Sequence, residues 1–410
     1  MSESVKLNVR SEIGKLKTVL LHKPGRELDK LTPDLLRALL FDDIPWLQQM
    51  RAEHDEFADI LRGRGVEVLY VEKLLTEVLA DKAVKRQFAR DIIQLSHIEN
   101  ESLQEALVKY ISAKSAADVT DVAIAGLMKS EAEDLDYEMN LWSYFTEDYP
   151  MYIDPVPNLY FTRDPAAVIG NGFCINKMFT EARRREPLLI RYIYEHHPVF
   201  AENKGLIWYD EKHKSNIEGG DTLILSKDVV AIGCSQRTSA GAIETLAKKL
   251  FAEYPGLREV LAIQIPALRE FMHLDTVFTM IDHDVFTVYP GIIDRIQVYR
   301  IMPGANGEVK IKIEADLSSA LKNSLGLGSV RMIESGGGDE ISAAREQWND
   351  STNTLAIEPG VVVTYSRNER TNESLRESGV EVLEINGSEL ARGRGGPRCM
   401  SCPLEREELE

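Results

Sequence analysis

The sequence predicts an α/β fold: a five-bladed α/β propeller, that is, a ring of ββαβ units with helices outside, interrupted by one inserted helical subdomain. Three observations carry this. The octet Arg62-Gly63-Arg64-Gly65-Val66-Glu67-Val68-Leu69 returns as Arg376-Glu377-Ser378-Gly379-Val380-Glu381-Val382-Leu383, matching at six of eight positions. Apolar hairpins followed by a helix and a further strand recur along the chain. Residues 72–149 contain no proline and a single glycine, unlike their surroundings. Units that cannot bury both faces alone stack into closed or solenoid arrays. The competing architecture is one doubly wound sheet with chance echoes, and the octet match and repeated hairpins favour the ring.

Lys17-Thr18-Val19-Leu20-Leu21-His22 is the first strand, stopped by Pro24-Gly25. Leu47, Met50, His54, Phe57 and Leu61 recur at spacings of three and four, the mark of an amphipathic helix. Residues 65–71 are then a second strand, so the first unit reads strand, helix, strand. In the helical insertion, Ser102-Leu103-Gln104-Glu105 is a capping-box signature, with Leu103, Leu107, Tyr110 and Ile111 on one face. The next unit is the least regular: strands at 160–169 and 173–175, then a helix at 181–195. Hairpins at 222–232 and 276–289 follow, each with a later helix (241–253, 317–325) and strand (260–265, 330–333). The hairpin 354–365 feeds a short helix at 372–378 and the octet's second copy. Residues 1–71 and 150–410 thus form the propeller, and 72–149 the insertion.

The 410 residues carry 48 Lys and Arg against 66 Asp and Glu, a formal charge of −18. Nucleic acid and anionic membrane both require a basic face, so neither is expected as a partner. Four cysteines make no disulfide framework and suit a reducing compartment. The opening Met1-Ser2-Glu3-Ser4-Val5-Lys6 lacks the apolar run of a secretory leader, and no stretch approaches the length of a membrane span. A cytoplasmic location is the expectation.

The most informative stretch is Arg392-Gly393-Arg394-Gly395-Gly396-Pro397-Arg398-Cys399-Met400-Ser401-Cys402-Pro403. Its glycines let the backbone approach a ligand, and its arginines favour a thiolate at Cys399. The alternative is a CxxC metal or redox pair, although two cysteines supply half of zinc's four ligands. Four further places carry candidate chemistry: Asn158-Leu159-Tyr160-Phe161-Thr162-Arg163-Asp164, Glu218-Gly219-Gly220-Asp221, His273-Leu274-Asp275, and Arg183 with Arg237 at equivalent hairpin-to-helix turns. In an extended segment His273 and Asp275 share a side. Each also has a plain structural reading. Asp164 pairs with Arg163 as a solvated ion pair, Glu218 caps a turn, the glycines punctuate a hairpin, and His273 is a satisfied core histidine. What argues for function is that each lies at the same end of a different unit, and in a ring those ends meet.

These segments, with Arg394-Gly395-Gly396 and Cys399-Met400-Ser401, resemble those of the bacterial arginine deiminases of the guanidine-modifying, or pentein, superfamily. The resemblance runs in order from the Lys17 strand to Pro403 and includes the helical insertion. It implies a five-bladed propeller that hydrolyses L-arginine to L-citrulline and ammonia, the first step of arginine catabolism, without metal or organic cofactor. It implies Cys399 as nucleophile through an S-alkylthiouronium intermediate and His273 as general acid and base. Asp164 and Asp275 would grip the guanidinium, and Glu218 would hold substrate and His273. Arg183 and Arg237 would clamp the substrate carboxylate, with Asn158, Leu40, Arg394 and Gly395 also lining the substrate. It further implies a homo-oligomer, dimer or higher. Two rivals remain at this point: another guanidine-modifying enzyme (an agmatine deiminase or an amidinotransferase), and a catalytically silent arginine-binding protein.

Overall fold

Five short sheets repeat one local logic. Aliphatic runs such as Val229-Val230-Ala231-Ile232 and Val361-Val362-Val363 are buried, and β-branched residues suit strands covered on both faces. A tight turn folds the first two strands antiparallel, and a helix then returns the chain to lay a third strand parallel to the second. The computed structural model describes residues 4–203 and 205–409; Met1, Ser2 and Glu3, which open the stretch read as lacking a leader, lie outside the described residues.

In chain order, β1 (Leu16–Leu21) is parallel to β2 (Glu67–Tyr70) across the helix Leu47–Gly63. A two-stranded ribbon, β3 (Leu127–Met128) with β4 (Met151–Ile153), closes the helical segment. The second unit is β5 (Ala166–Ile169), β6 (Gly172–Ile175), the helix Glu186–His196 and β7 (Ile207–Tyr209). The third is β8 (Thr222–Ser226), β9 (Val229–Cys234), the helix Ala240–Glu253 and β10 (Glu259–Gln264). The fourth is β11 (Phe278–Met280), β12 (Val285–Val288), the helix Leu317–Leu325 and β15 (Arg331–Glu334). Within it a hairpin, β13 (Gln297–Pro303) and β14 (Val309–Ile313), leaves to extend the third unit's sheet at β10. The fifth is β16 (Leu355–Glu358), β17 (Val361–Tyr365), the helix Glu369–Glu377 and β18 (Glu381–Ile385). Finally β19 (Cys402–Arg406) returns to pair antiparallel with β1.

That last pairing corrects the reading of the first unit as strand, helix, strand. Its hairpin partner comes from the other end of the chain, directly after Cys399. Three local expectations also change. Residues 157–160 form a 3-10 turn, Pro157–Tyr160, so only Ala166–Ile169 is strand where 160–169 was expected. The helix Glu101–Ala113 is capped by Asn100, whose side chain accepts the Leu103 N–H; Ser102 instead accepts from Glu138 N. His273 is extended, but Leu274–Thr276 is a 3-10 turn, because Thr276 N and Oγ1 both bond the His273 carbonyl.

The 72–149 segment is mainly helical: Val71–Val78, Lys82–Gln94, Glu101–Ala113, Ala116–Ala125 and Leu141–Phe145. It shares its core with the second unit. Leu75, Phe88 and Ile92 belong to one apolar cluster with Phe173, Ile190 and Tyr192, and Phe88 meets Tyr192 edge-on at 4.7 Å. Among the described residues no helix is long and apolar enough to cross a membrane.

Candidate active site

The chain enters the first hairpin strand of each unit through a short polar segment, and those segments hold the chemistry. Asp164 precedes β5, Glu218 and Asp221 precede β8, and His273 and Asp275 precede β11. Asn353 precedes β16, and Cys399 precedes β19. Short turns shape these segments, as where Asp164 N donates to the Phe161 carbonyl and Asp221 N to the Glu218 carbonyl. Other backbone bonds tie one segment to the next: Gly219 N donates to the Asp164 carbonyl and Arg163 N to the Cys399 carbonyl. All of these side chains are buried.

A cavity of about 140 Å³ is lined by Leu40, Asn158, Asp164, Arg183, Arg237, Arg269, Met272, His273, Gly393, Arg394 and Cys399, with Phe161, Phe179, Thr180 and Gln236. Cys399 Sγ stands 3.7 Å from Asp275 Oδ2. Asp275 Oδ2 also accepts from Arg398 Nη1 at 2.7 Å, while Asp275 Oδ1 is buried with no hydrogen-bond partner among the described residues. Asp164 is the same kind of group: Oδ2 accepts from Arg183 Nη1 at 2.5 Å, and Oδ1 accepts from none of the described residues. His273 Nε2 is 2.8 Å from Glu218 Oε2, and Nδ1 is 3.7 Å from Asp164 Oδ1, beyond hydrogen-bond distance. A buried carboxylate oxygen without a donor is costly, so two of them beside one thiol mark a seat for a cation rich in N–H groups.

The electrostatics follow from burial and the surrounding carboxylates. Burial, then Asp275, Asp164 and Asp350, push the Cys399 thiol far above its ordinary value, and Arg398 offsets only part of this. Arg392, by contrast, pairs with Asp43 and Glu389 near the surface. Arg398 lowers the thiol as a neighbouring cation should, but it is already paired with Glu12 and Asp275, so burial and the carboxylates prevail. Burial disfavours the imidazolium of His273, yet Asp164, the Glu218 hydrogen bond and Asp221 outweigh it and hold His273 up at about 9. Burial would raise Glu218, but Arg237, His273 and Arg183 keep its carboxyl well below the usual range.

Arg183 is more constrained than a free clamp. Its Nε and Nη2 bond Glu186, Nη2 also reaches the Asn158 and Phe161 carbonyls, and Nη1 holds Asp164. Little is left to offer beyond one Nη1 proton, so it braces Asp164 as much as it faces the cavity. Arg237 is freer, with Glu218 Oε2 at 3.5 Å. Arg394 lies 3.5 Å over the Trp348 ring, its Nε and Nη1 buried without partners among the described residues. Leu40 and Arg394 both adopt left-handed backbone, φ 67° and 65°, an uncommon conformation for such residues. Asn158 Nδ2 ties the Leu40 loop down by donating to the Leu39 carbonyl at 2.7 Å.

Gly395 is not among the cavity-lining residues; its carbonyl accepts the Tyr365 hydroxyl at 2.8 Å. The glycines of this stretch make room for protein rather than ligand: a Cβ on Gly395 would lie 2.4 Å from the Phe161 ring, and one on Gly393 2.1 Å from Tyr160 Oη. Cys402 is not a partner for Cys399; its thiol donates to the Ala166 carbonyl, and burial raises it to about 11. Nor is Asp164 in a solvated pair with Arg163, since both are buried and Arg183 takes that role. Glu186, Asp221 and Asn353 had no role in the sequence reading, which took Arg398 only as a charge beside the thiol, not as the brace of Asp275. The position just before each first hairpin strand was the signal for Asp221 and Asn353.

Asp164, Glu218 and His273 bring donor atoms within 4.8 Å of one another, the one such group among the described residues. Arg183 and Arg237 already stand against two of these donors, so a metal dication would compete with two fixed cations.

Residues 37–406 match the model of a protein family described as arginine deiminase. An arginine deiminase of Latilactobacillus sakei subsp. sakei strain 23K is 50% identical over 407 residues, covering 98% of this chain and 99% of that protein. One from Bacillus cereus strain B4264 is 50% identical over 407 residues with the same coverage. Among solved structures, SxtG, an amidinotransferase from Microseira wollei, superposes with a TM-score of 0.58 at 13% identity, over 98% of both chains. DDAH from Pseudomonas aeruginosa complexed with citrulline gives 0.52 at 15%, over 95% of this chain and 99% of that one. Unliganded AgrE gives 0.54 at 16%, over 96% of this chain, which spans 40% of AgrE. At these identities the likeness concerns the fold, which is mixed α/β in each.

Proposed function

The chain belongs to the arginine deiminase family, and from that premise we propose that it hydrolyses L-arginine to L-citrulline and ammonia at the cavity holding Cys399. The observation that carries the site assignment is the pair of unpartnered, buried oxygens, Asp164 Oδ1 and Asp275 Oδ1, with the thiol 3.7 Å from the second carboxylate. The five sheets then turn about a common axis as propeller blades, with the segments before their first hairpin strands meeting at one end. The helices of 72–149 form the insertion outside that ring.

The substrate guanidinium lies between Asp164 and Asp275, its plane fixed by their oxygens and its carbon facing Sγ. Its charge offsets the carboxylates that keep Cys399 protonated, so binding itself favours the thiolate, and because His273 is already an imidazolium the thiol proton leaves to solvent. Sulfur adds to the guanidinium carbon and gives a neutral tetrahedral adduct. The His273 imidazolium donates its proton to one amino nitrogen, the C–N bond breaks, and ammonia leaves a cationic S-alkylthiouronium on Cys399. Neutral His273 then takes a proton from water as its oxygen adds to the same carbon. The C–S bond breaks with its electrons returning to sulfur as the thiolate, and the O-protonated citrulline gives that proton to solvent as it departs. Glu218 orients and charges His273; Arg237 and Arg394 meet the substrate carboxylate, Asn158 and Leu40 its α-amino end, and Arg183 contributes its remaining N–H.

Mass spectrometry of protein quenched during arginine turnover tests this. The expected result is an arginine-derived adduct on the peptide containing Cys399; its absence at all quench times removes the covalent route. Turnover of agmatine, which lacks a carboxylate, should be far below that of arginine, and parity would reject the roles given to Arg237 and Arg394.

A further inference from the structure

We infer that Asn353 is a positioning residue for the reaction at Cys399: its amide fastens the nucleophile's backbone to the Asp275 turn, and its neutrality spares the thiolate another facing anion. In its unit Asn353 occupies the place that Asp164 and Asp275 hold in theirs, just before the first hairpin strand.

Its fully buried side chain uses both halves of the amide. Oδ1 accepts the N–H of Cys399 at 2.9 Å and that of Gly396 at 3.2 Å. Nδ2 donates to the Asp275 carbonyl at 3.2 Å. The Asn353 carbonyl accepts the Arg398 N–H at 3.3 Å, and Arg398 is the residue whose guanidinium holds Asp275 Oδ2. Three points of the nucleophile segment and the turn bearing its facing carboxylate are thus fixed through one residue. The chain makes room for it, since a Cβ on Gly396 would lie 2.9 Å from Asn353 Cβ and 2.6 Å from its carbonyl oxygen.

Only an amide meets these demands, because it has an acceptor with two lone pairs and a donor on the same planar group. Aspartate has the same shape and would accept both N–H groups. It would lose the bond to Asp275, however, and set a carboxylate beside a thiol already facing Asp275, Asp164 and Asp350. Serine is neutral and smaller. The two replacements therefore separate charge from geometry.

The inference rests on Cys399 being the nucleophile. The test compares full-length wild type, Asn353→Asp and Asn353→Ser by peptide-resolved iodoacetamide alkylation of Cys399 at pH 8, by kcat and KM, and by thermal unfolding. Alkylation of Asn353→Asp should be slower than that of Asn353→Ser by about tenfold or more, since each unit of thiol shift is tenfold in thiolate. Both variants should lose about tenfold or more in kcat, with KM within about threefold. Equal alkylation rates in two folded variants, or wild-type kcat in either, would overturn the role of Asn353. A wild type that forms no arginine adduct on Cys399 would instead retire the nucleophile assignment, and this inference with it.

Discussion

His22 and His273 are each buried between two carboxylates, yet only His273 has a nitrogen to spare. His22 sits just past β1, with Nδ1 2.8 Å from Glu72 Oε2 and Nε2 3.2 Å from Glu27 Oε1. Burial works against its charge, but Glu72 and Glu27 outweigh it and lift it to about 10. His273 is lifted to about 9 by the same physics. Its Nε2 is engaged by Glu218 while Nδ1 makes no hydrogen bond, and it shares a cavity with a thiol. A displaced pKa therefore does not mark a catalyst by itself; a displaced pKa with an uncommitted nitrogen beside a nucleophile does.

The largest expected effect separates the two residues by replacement. His273→Ala should lower kcat by about 10³-fold or more, because the leaving nitrogen loses its proton donor, with a small change in stability. His22→Ala should do the reverse, holding kcat near wild type while destabilising the fold by about 3 kcal/mol through two stranded glutamates. Parallel kcat assays and urea unfolding check this, and a catalytic collapse in the His22 variant would break the comparison.

Next in size is a test of how His273 is seated. A Cβ on Gly220 would lie 2.6 Å from His273 Nδ1 and 3.0 Å from Asp164 Oδ1. Gly220→Ala must displace the imidazole, and a displacement near 1 Å is worth about 10²-fold in rate. The expected loss is in kcat, with arginine binding largely kept. Gly220 is thus the space for a catalytic ring, where the sequence reading also allowed plain hairpin punctuation.

The charges can be removed in turn. His273 must be protonated to release ammonia, so kcat/KM should fall as pH rises through about 9. Glu218→Gln removes the hydrogen-bonded anion and should bring that fall to lower pH by about one unit. Glu72→Gln should leave the rate profile alone and change stability. His22, raised in the folded state, contributes stability in full below its unfolded value near 6.5, and loses it as pH rises through about 10. Without Glu72 the decline of stability across that window should flatten, read by unfolding at pH 6, 8 and 10.

Much of this was legible in the chain. The helix-linked strands announced themselves because buried strands and amphipathic helices carry different periods, and the octet showed that one unit was being reused. The pairing of β19 with β1 was not, since Leu20 meets Cys402 across nearly the whole chain and an antiparallel ladder leaves no local trace. Motif residues such as Asp164 and His273 were legible as chemical types, but what braces them was not. Glu186 reads as an ordinary first-turn acid of a helix, and only folding sets it against Arg183 and Asp164. Asn353, in the polar run Asp350-Ser351-Thr352-Asn353, stood at the right place in its unit but carries no charge to draw notice.

The smallest expected effect concerns a third buried histidine, His54, near His22 on the helix Leu47–Gly63. Neither ring nitrogen has a hydrogen-bond partner among the described residues, and its ring neighbours are Phe57 and Tyr70. Burial, helped by the charge on His22, pushes it down to about 3, so it stays neutral in the fold. A depressed base favours the fold above its unfolded value near 6.5 and loses that contribution as pH falls, because the unfolded chain alone takes up the proton. His54→Leu removes the linkage and leaves no polar atom stranded, so at pH 7.5 its stability should match wild type within about 1 kcal/mol. At pH 5 it should exceed wild type by about 2 kcal/mol, the cost of 1.5 pH units for one proton, roughly. Urea unfolding at both pH values gives the difference. A gap that fails to widen on acidification would mean that His54 gains a proton in the fold, and that His22 and its two glutamates form a larger shared network.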